Sequence, residues 1–370
     1  MSEQKINKPG RSALQTARVT NKRIDDAVSS TLSRFHVSHG VGRMIVLTLL
    51  AFVIFSIAAP RVFLNPLNLQ NIAIASPEIG LLALAVMVAL LTGGIDLSVV
   101  AIANLTTITI STLYSTIALK DAGLANSLGL VIVLVGFLVG LLGGFINGLL
   151  VSKVGITPIL ATLGTMQIFN GIAIVWTGGE TLYGAPAILN TVGTGAIAGI
   201  PLLFVVFIAI AVIIAVVINK TALGSTILLQ GANPVAAKFS GIRITHTLMS
   251  TYLISGSLAA LAGILIISRN PTASADYGSS YVLLVIVIAI LGGTNPNGGF
   301  GTVLGVVLAT LTLQIVSSGF NIVRLSSYEY AIAQGVILIG VMVIDQMSRN
   351  RKQSAVLKQR KSRVHVALKG

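Results

Sequence analysis

The 370-residue chain has no cysteine, which excludes disulfides, thiolate metal sites and a cysteine nucleophile. Charge is scarce as well. Only 9% of residues are charged, ten acids against 24 Lys and Arg, where a soluble domain carries roughly a quarter. With 54% hydrophobic residues and so few polar ones to cover them, a water-soluble fold is ruled out and a polytopic membrane protein remains. The four histidines, His36, His39, His246 and His365, lie in tails or at a span edge without ligand spacing, so neither a metal site nor a metalloenzyme is expected. No G-x-x-x-x-G-K-S/T phosphate cradle and no G-x-S-x-G elbow occurs. These absences argue against ATP hydrolysis by this chain and against a serine hydrolase. No catalytic residue and no bound cofactor is expected.

What the chain does have is long apolar runs. A bilayer-spanning helix needs about 20 mainly apolar residues, and such runs fall near 44–63, 79–92, 97–118, 128–151, 157–177, 199–219, 247–268, 280–292, 300–318 and 329–346. The expected fold is all-α, a polytopic membrane protein with about ten transmembrane helices, two of them short and glycine-interrupted. The expected organisation is a basic, mostly disordered tail over 1–42, a transmembrane domain over 43–347 and a second basic tail over 348–370. A net charge of +14 invites a nucleic-acid reading, but the cations cluster in the two tails, and membrane topology explains them better. With both termini in the cytoplasm, twenty Lys and Arg lie inside and only Arg61, Lys120, Arg269 and Arg324 lie outside. Binding of the tails to anionic membrane lipid is the other use open to them.

The runs Ile79 to Leu91 and Tyr281 to Leu291 look too short to cross, and each ends in a glycine pair with polar residues beyond it. Such paired interruptions point to a translocation site, here Gly93, Gly94, Asp96 and Ser98 in one part and Gly292, Gly293 and Asn295 in the other. The competing reading is a pair of helix-capping turns at the membrane surface. Gly136, Gly140, Gly144 and Gly148 form a smooth stripe for helix packing, and Ser255, Ala259 and Gly263 a second. Glu78, Asp96, Glu329 and Asp345 are expected at span ends, leaving no carboxylate chain for protons. The longest cytoplasmic segment, 220–245, is weakly charged, and Asn233 followed by Pro234 is a helix start. It reads either as a connecting loop or as a docking element for a partner.

The chain resembles the permease subunits of bacterial ABC sugar importers of the ribose, xylose, rhamnose and autoinducer-2 group. The resemblance is carried by GGIDLS at 93–98, FINGLLVSKVGITPILATLGT at 145–165, LLQGANPVAAKFSGI at 228–242, LAALAGI at 258–264 and GGTNPNGGFGTVLG at 292–305. It implies a multi-pass protein of the inner membrane that moves a monosaccharide or similar small polar solute by alternating access. It also implies an ATPase subunit that binds the ATP and Mg, a periplasmic solute-binding protein and a second permease, identical or paralogous. Gly231, Asn233, Ala236, Ala237, Ser240 and Gly241 match the family's ATPase-docking loop. The sequence departs from the family pattern at Val99-Val100 and at Tyr281 to Ile286, where a glycine and a carboxylate are replaced. A stand-alone ion-coupled carrier is the main alternative, and a membrane-embedded enzyme relying on Glu78 and Asp96 a distant second.

Overall fold

The structure, a computed structural model, describes residues 39–326 and positions 329, 332, 335, 336, 339, 340 and 343. Most of the run expected at 329–346, and nearly all of both basic tails, lie outside the described residues.

The described chain is almost entirely helical. In order come α1 (His39–Ala58), α2 (Pro60–Phe63), α3 (Pro66–Leu91), α4 (Val99–Ala118), α5 (Ala122–Ser127) and α6 (Gly129–Leu149), which runs on through a π turn at Leu150–Val154. Then follow α7 (Pro158–Thr177), α8 (Ala187–Thr194), α9 (Leu202–Lys220), α10 (Ala222–Ala232), α11 (Pro234–Phe239), α12 (Ile244–Arg269), α13 (Tyr281–Leu291) and α14 (Val303–Ile322). Two-residue strands close the loops: β1 (Leu182–Tyr183) pairs antiparallel with β4 (Thr272–Ala273), and β2 (Ala196–Ile197) with β3 (Ile200–Pro201). Among the described residues eight helices are long and apolar enough to cross a membrane, and α10 and α13 are shorter apolar helices. The all-α, polytopic membrane fold is therefore the observed one.

Local chemistry sets the boundaries. Asn65 accepts from the Leu67 amide ahead of Pro66, which starts α3, and Thr221 accepts from the Gly224 amide to start α10. Gly155 and Gly178 adopt left-handed backbone after the π turn and after α7, where a Cβ would be strained.

One expectation is corrected here. The run at 79–91 is not a short segment, because α3 extends back to Pro66 and passes through Pro77. A proline inside a helix removes one amide donor, here the one that would reach the Ala73 carbonyl, without ending the helix. The Ser76 hydroxyl donates to the Ile72 carbonyl (2.7 Å), and Gln314 Nε2 of α14 donates to the Ala75 carbonyl (3.2 Å). The second run, α13, is short as expected, at 11 residues.

The core forms around the inner half of α3, which is buried continuously from Ser76 to Leu91 between α9, α12, α13 and α14. Next to it α12 packs against α4 and α6. The α6 glycines make that approach possible. A methyl on Gly140 would press on Ala260 and Thr106, one on Gly144 on the backbone of Tyr252 and Gly256, and one on Gly148 on Met249. Gly136 meets Ile110 in the same way, and Gly263 of α12 meets the Ala103 carbonyl. All of these contacts lie within one protomer. Without water to drive association, such close fit supplies dispersion contacts in the membrane.

Candidate functional site

Both glycine pairs are helix caps of one design. After α3, the Gly93 amide donates to the Leu90 carbonyl (2.8 Å) and the Gly94 amide to the Ala89 carbonyl (3.3 Å); after α13, Gly293 donates to Ile290 (2.9 Å) and Thr294 to Ala289 (3.1 Å). Gly93 and Gly293 carry φ of 82° and 89°. This is the crossed pair of bonds that ends a helix on a left-handed glycine.

The α3 cap meets the segment that follows the second cap, and both meet the 220–245 loop at Gly231. The Gly299 amide donates to the Leu91 carbonyl (2.9 Å), and Asn295 Nδ2 holds the Gly298 carbonyl (2.8 Å), folding the 292–302 segment over the end of α3. A methyl on Gly298 would lie 2.7 Å from the Gly93 nitrogen and 2.9 Å from Gly231, and a methyl on Gly231 would overlap the Leu91 carbonyl oxygen. Three chain segments therefore touch backbone to backbone, through positions where only hydrogen fits. Gly292 packs against Gly305 and Val306 instead, bracing the start of α14.

Asp96 and Ser98 turn into the bundle. The Asp96 carboxylate is fully buried and accepts three hydrogen bonds: from the Ser98 amide (3.0 Å), the Ser98 hydroxyl (2.7 Å) and the Ser255 hydroxyl of α12 (2.7 Å). Ser98 Oγ in turn accepts from Asn147 Nδ2 of α6 (2.7 Å), whose Oδ1 accepts from the Thr165 hydroxyl of α7 (2.6 Å). The Leu97 amide donates to Thr162 Oγ1 (3.2 Å). A buried carboxylate with full hydrogen bonding is tolerated, whereas an unpaired one would be costly.

A second buried carboxylate corrects the expectation for Glu78. It lies in the middle of α3, thirteen residues from Leu91, roughly 20 Å along the axis at ~1.5 Å per residue, and not at a span end. Arg269 Nη1 at the end of α12 stands 3.3 Å from Oε1, and the Tyr277 and Tyr281 hydroxyls donate to the same carboxylate at 3.2 and 3.5 Å. Burial, and after it the Glu78 charge, pushes the Tyr277 phenol up, so Tyr277 stays protonated as a donor.

The residues singled out in the 220–245 loop divide by exposure. Gly231 and Ala237 are buried, while Asn233, Ala236, Ser240 and Gly241 face outward. Asn233 Oδ1 accepts from the Ala236 amide (3.0 Å) with Pro234 in the first turn, the helix start expected from the sequence. Val235 and Phe239 project from α11 with 65% and 87% of their surface open. No cluster of His, Cys, Asp and Glu able to hold a metal occurs among the described residues.

The family described as the branched-chain amino acid transport system permease component matches residues 68–344. The chain belongs to this permease family. The permease is 33% identical over 305 residues to the ribose import permease protein of Bacillus subtilis, covering 82% of this chain and 90% of that protein. It is 31% identical over 294 residues to the D-allose transport system permease protein of Escherichia coli, with 80% and 88% covered. It is also 31% identical over 320 residues to the galactose/methyl galactoside import permease protein of Escherichia coli, with 84% and 94% covered. The resemblance to permeases of ABC sugar importers therefore stands. No solved structure matches the chain.

Sequence reasoning missed four members of the permease's Asp96 network, namely Asn147, Thr162, Thr165 and the role of Ser255. A signal was present. The first three fall within the 145–165 motif, where small polar residues inside apolar runs need a hydrogen-bonding reason.

Proposed function

We propose that the chain is the membrane-spanning subunit of an ATP-driven importer, moving a monosaccharide or similar small polar solute across the inner membrane by alternating access. The observation that carries the reading is the backbone contact of Gly231 with the Leu91 end of α3 and with Gly298 and Gly299 in the segment after α13. A partner that pulls on the 220–245 loop would displace the end of α3 and the 298–299 turn directly, with no flexible side chain to absorb the motion. Exposed Val235 and Phe239 on a short helix are suited to an apolar groove on such a partner.

In this reading ATP and Mg sit on the separate ATPase subunit, both termini and the 220–245 loop face the cytoplasm, and a periplasmic solute-binding protein loads the outer face. A second permease, identical or paralogous, completes the pore. The names of the ribose, allose and galactose permeases support the choice of solute class.

Glu78 and Asp96 provide the buried carboxylates that a stand-alone ion-coupled carrier would require. Their pairing favours a structural role, since Glu78 is held by Arg269 and two tyrosines and Asp96 by three donors. The test is co-purification of the detergent-solubilised chain with the ATPase encoded beside it, comparing wild type with Phe239→Asp and Gly241→Trp. Capture by the wild type and loss in both variants supports the importer. Failure of the wild type to capture the ATPase, together with solute uptake in cells abolished by an ionophore, replaces it with the carrier.

A further inference from the structure

Asn104 is 2% exposed and sits in α4 one and a half turns beyond Ser98. Its Nδ2 donates to the carbonyls of Ala275 (2.8 Å) and Tyr277 (2.9 Å), which fixes the direction of the amide. That leaves Oδ1 buried with no hydrogen-bond partner. A buried acceptor without a donor is uncommon and calls for an explanation.

Asn104 lines a cavity of about 280 Å³ enclosed by α4, α7, the 275–279 segment and the start of α13. At ~30 Å³ per water molecule this is the space of about nine waters, the scale of one sugar ring. Its polar groups are Asn104, Asn170 of α7, Asp276 and Ser279; Met166 and Val282 supply apolar wall. Asp276 and Ser279 are exposed and stand at the mouth, while Asn104 forms the floor. A larger cavity of about 370 Å³ lies among the loops beside Tyr114 and Asn126, but Asn126 Oδ1 is already taken by the Ala187 amide.

We propose that the cavity floored by Asn104 is a solute-binding site of the permease for a single polyhydroxylated ring. The chemistry is that of sugar recognition. The Asp276 carboxylate accepts from ring hydroxyls, the Asn170 amide both donates and accepts, Ser279 adds a hydroxyl, and Met166 and Val282 meet the C–H face. The position suits a transport intermediate. The same segment that Asn104 holds by its carbonyls carries Tyr277 to Glu78, and Val100 and Ala101 of the wall follow directly on the Asp96–Ser98 network. Through these segments the site is linked to both buried carboxylates. The proposal rests on the importer reading, from which it takes the class of solute.

The test uses proteoliposomes containing the permease, its ATPase and its solute-binding protein, and measures ATP-driven uptake of radiolabelled D-ribose, D-allose and D-galactose. Met166→Trp, which fills the cavity, and Asn170→Leu, which removes a polar contact, are each expected to lower uptake of the transported sugar about tenfold or more while still capturing the ATPase. Because the chain has no cysteine, Asn170→Cys adds a unique thiol that reports occupancy without relying on turnover. Its modification by a methanethiosulfonate reagent is expected to slow when the transported sugar is present, and that of Ser127→Cys, outside the cavity, to stay the same. Wild-type uptake with both cavity variants unimpaired, or a thiol at 170 labelled equally fast with and without sugar, overturns the site and leaves the importer standing. Assembled wild-type complex that takes up none of the three sugars overturns the importer reading instead. If Met166→Trp fails to assemble, the labelling of Asn170→Cys decides.

Discussion

The inner end and the middle of α3 are held in opposite ways. At the Leu91 end, contact runs backbone to backbone through Gly93, Gly231, Gly298 and Gly299. Near its midpoint, Glu78 is held by the flexible tips of Arg269, Tyr277 and Tyr281. Glycine contacts have no rotamer to adjust, so a displacement of one segment is imposed on the next. Long side chains can stretch, rotate or admit water, so the same displacement is damped. α3 is therefore rigid where it meets the 220–245 loop and compliant at its middle, towards Arg269.

Mutations can break this contrast. The largest effect is expected at the rigid end, where Gly231→Ala puts a methyl against the Leu91 carbonyl. Main-chain neighbours yield little, so a loss of about 3 kcal/mol is expected, read as a lower midpoint of thermal unfolding in detergent. An unchanged midpoint would mean that this end is soft. At the compliant middle, Arg269→Ala removes a guanidinium whose side chain is 39% exposed, and about 1–2 kcal/mol is expected from stranding Glu78. Combining it with Glu78→Leu should recover most of that loss, since no charge is then left unpaired. If the double variant is less stable than either single one, the pair does more than neutralise. The smallest effect belongs to Gly164→Ala in α7, where a methyl meets nothing within 4 Å. Greater helix preference should raise stability by about 0.5–1 kcal/mol, and a loss there would place an unseen surface against α7.

Where apolar residues run unbroken, the sequence was a good guide. α6, α7, α9 and α12 begin and end within a few residues of the runs that announce them. The outer half of α3 was illegible because Asn68, Gln70 and Asn71 dilute its hydropathy and Pro77-Glu78 looks like a boundary. In the fold Asn68 makes bonds to the Phe63 carbonyl and to Ser318, and the helix runs on through Pro77. The glycine pairs could be read as caps or as breaks, and their geometry is that of caps. That the end of α3 and the turn at Gly298 would both meet Gly231 was beyond sequence reasoning, since nothing in local pattern reports distance between residues 91, 231 and 298. The Asp96 network was hidden for the same reason, its partners arriving from 147, 165 and 255. Asn104 looked like one polar residue among the threonines of α4, and only the cavity beside it gives it meaning.

Pro77 also divides α3 in time. On its inner side every residue to Leu91 is buried, while on its outer side Leu67 and Leu69 stand 68% and 38% open. The missing amide removes one rung between these halves, so cooperative protection cannot pass unbroken from one to the other. One helix then carries two clocks: an inner half whose amides exchange only when the bundle opens, and an outer half that breathes alone with Pro77 as its fulcrum.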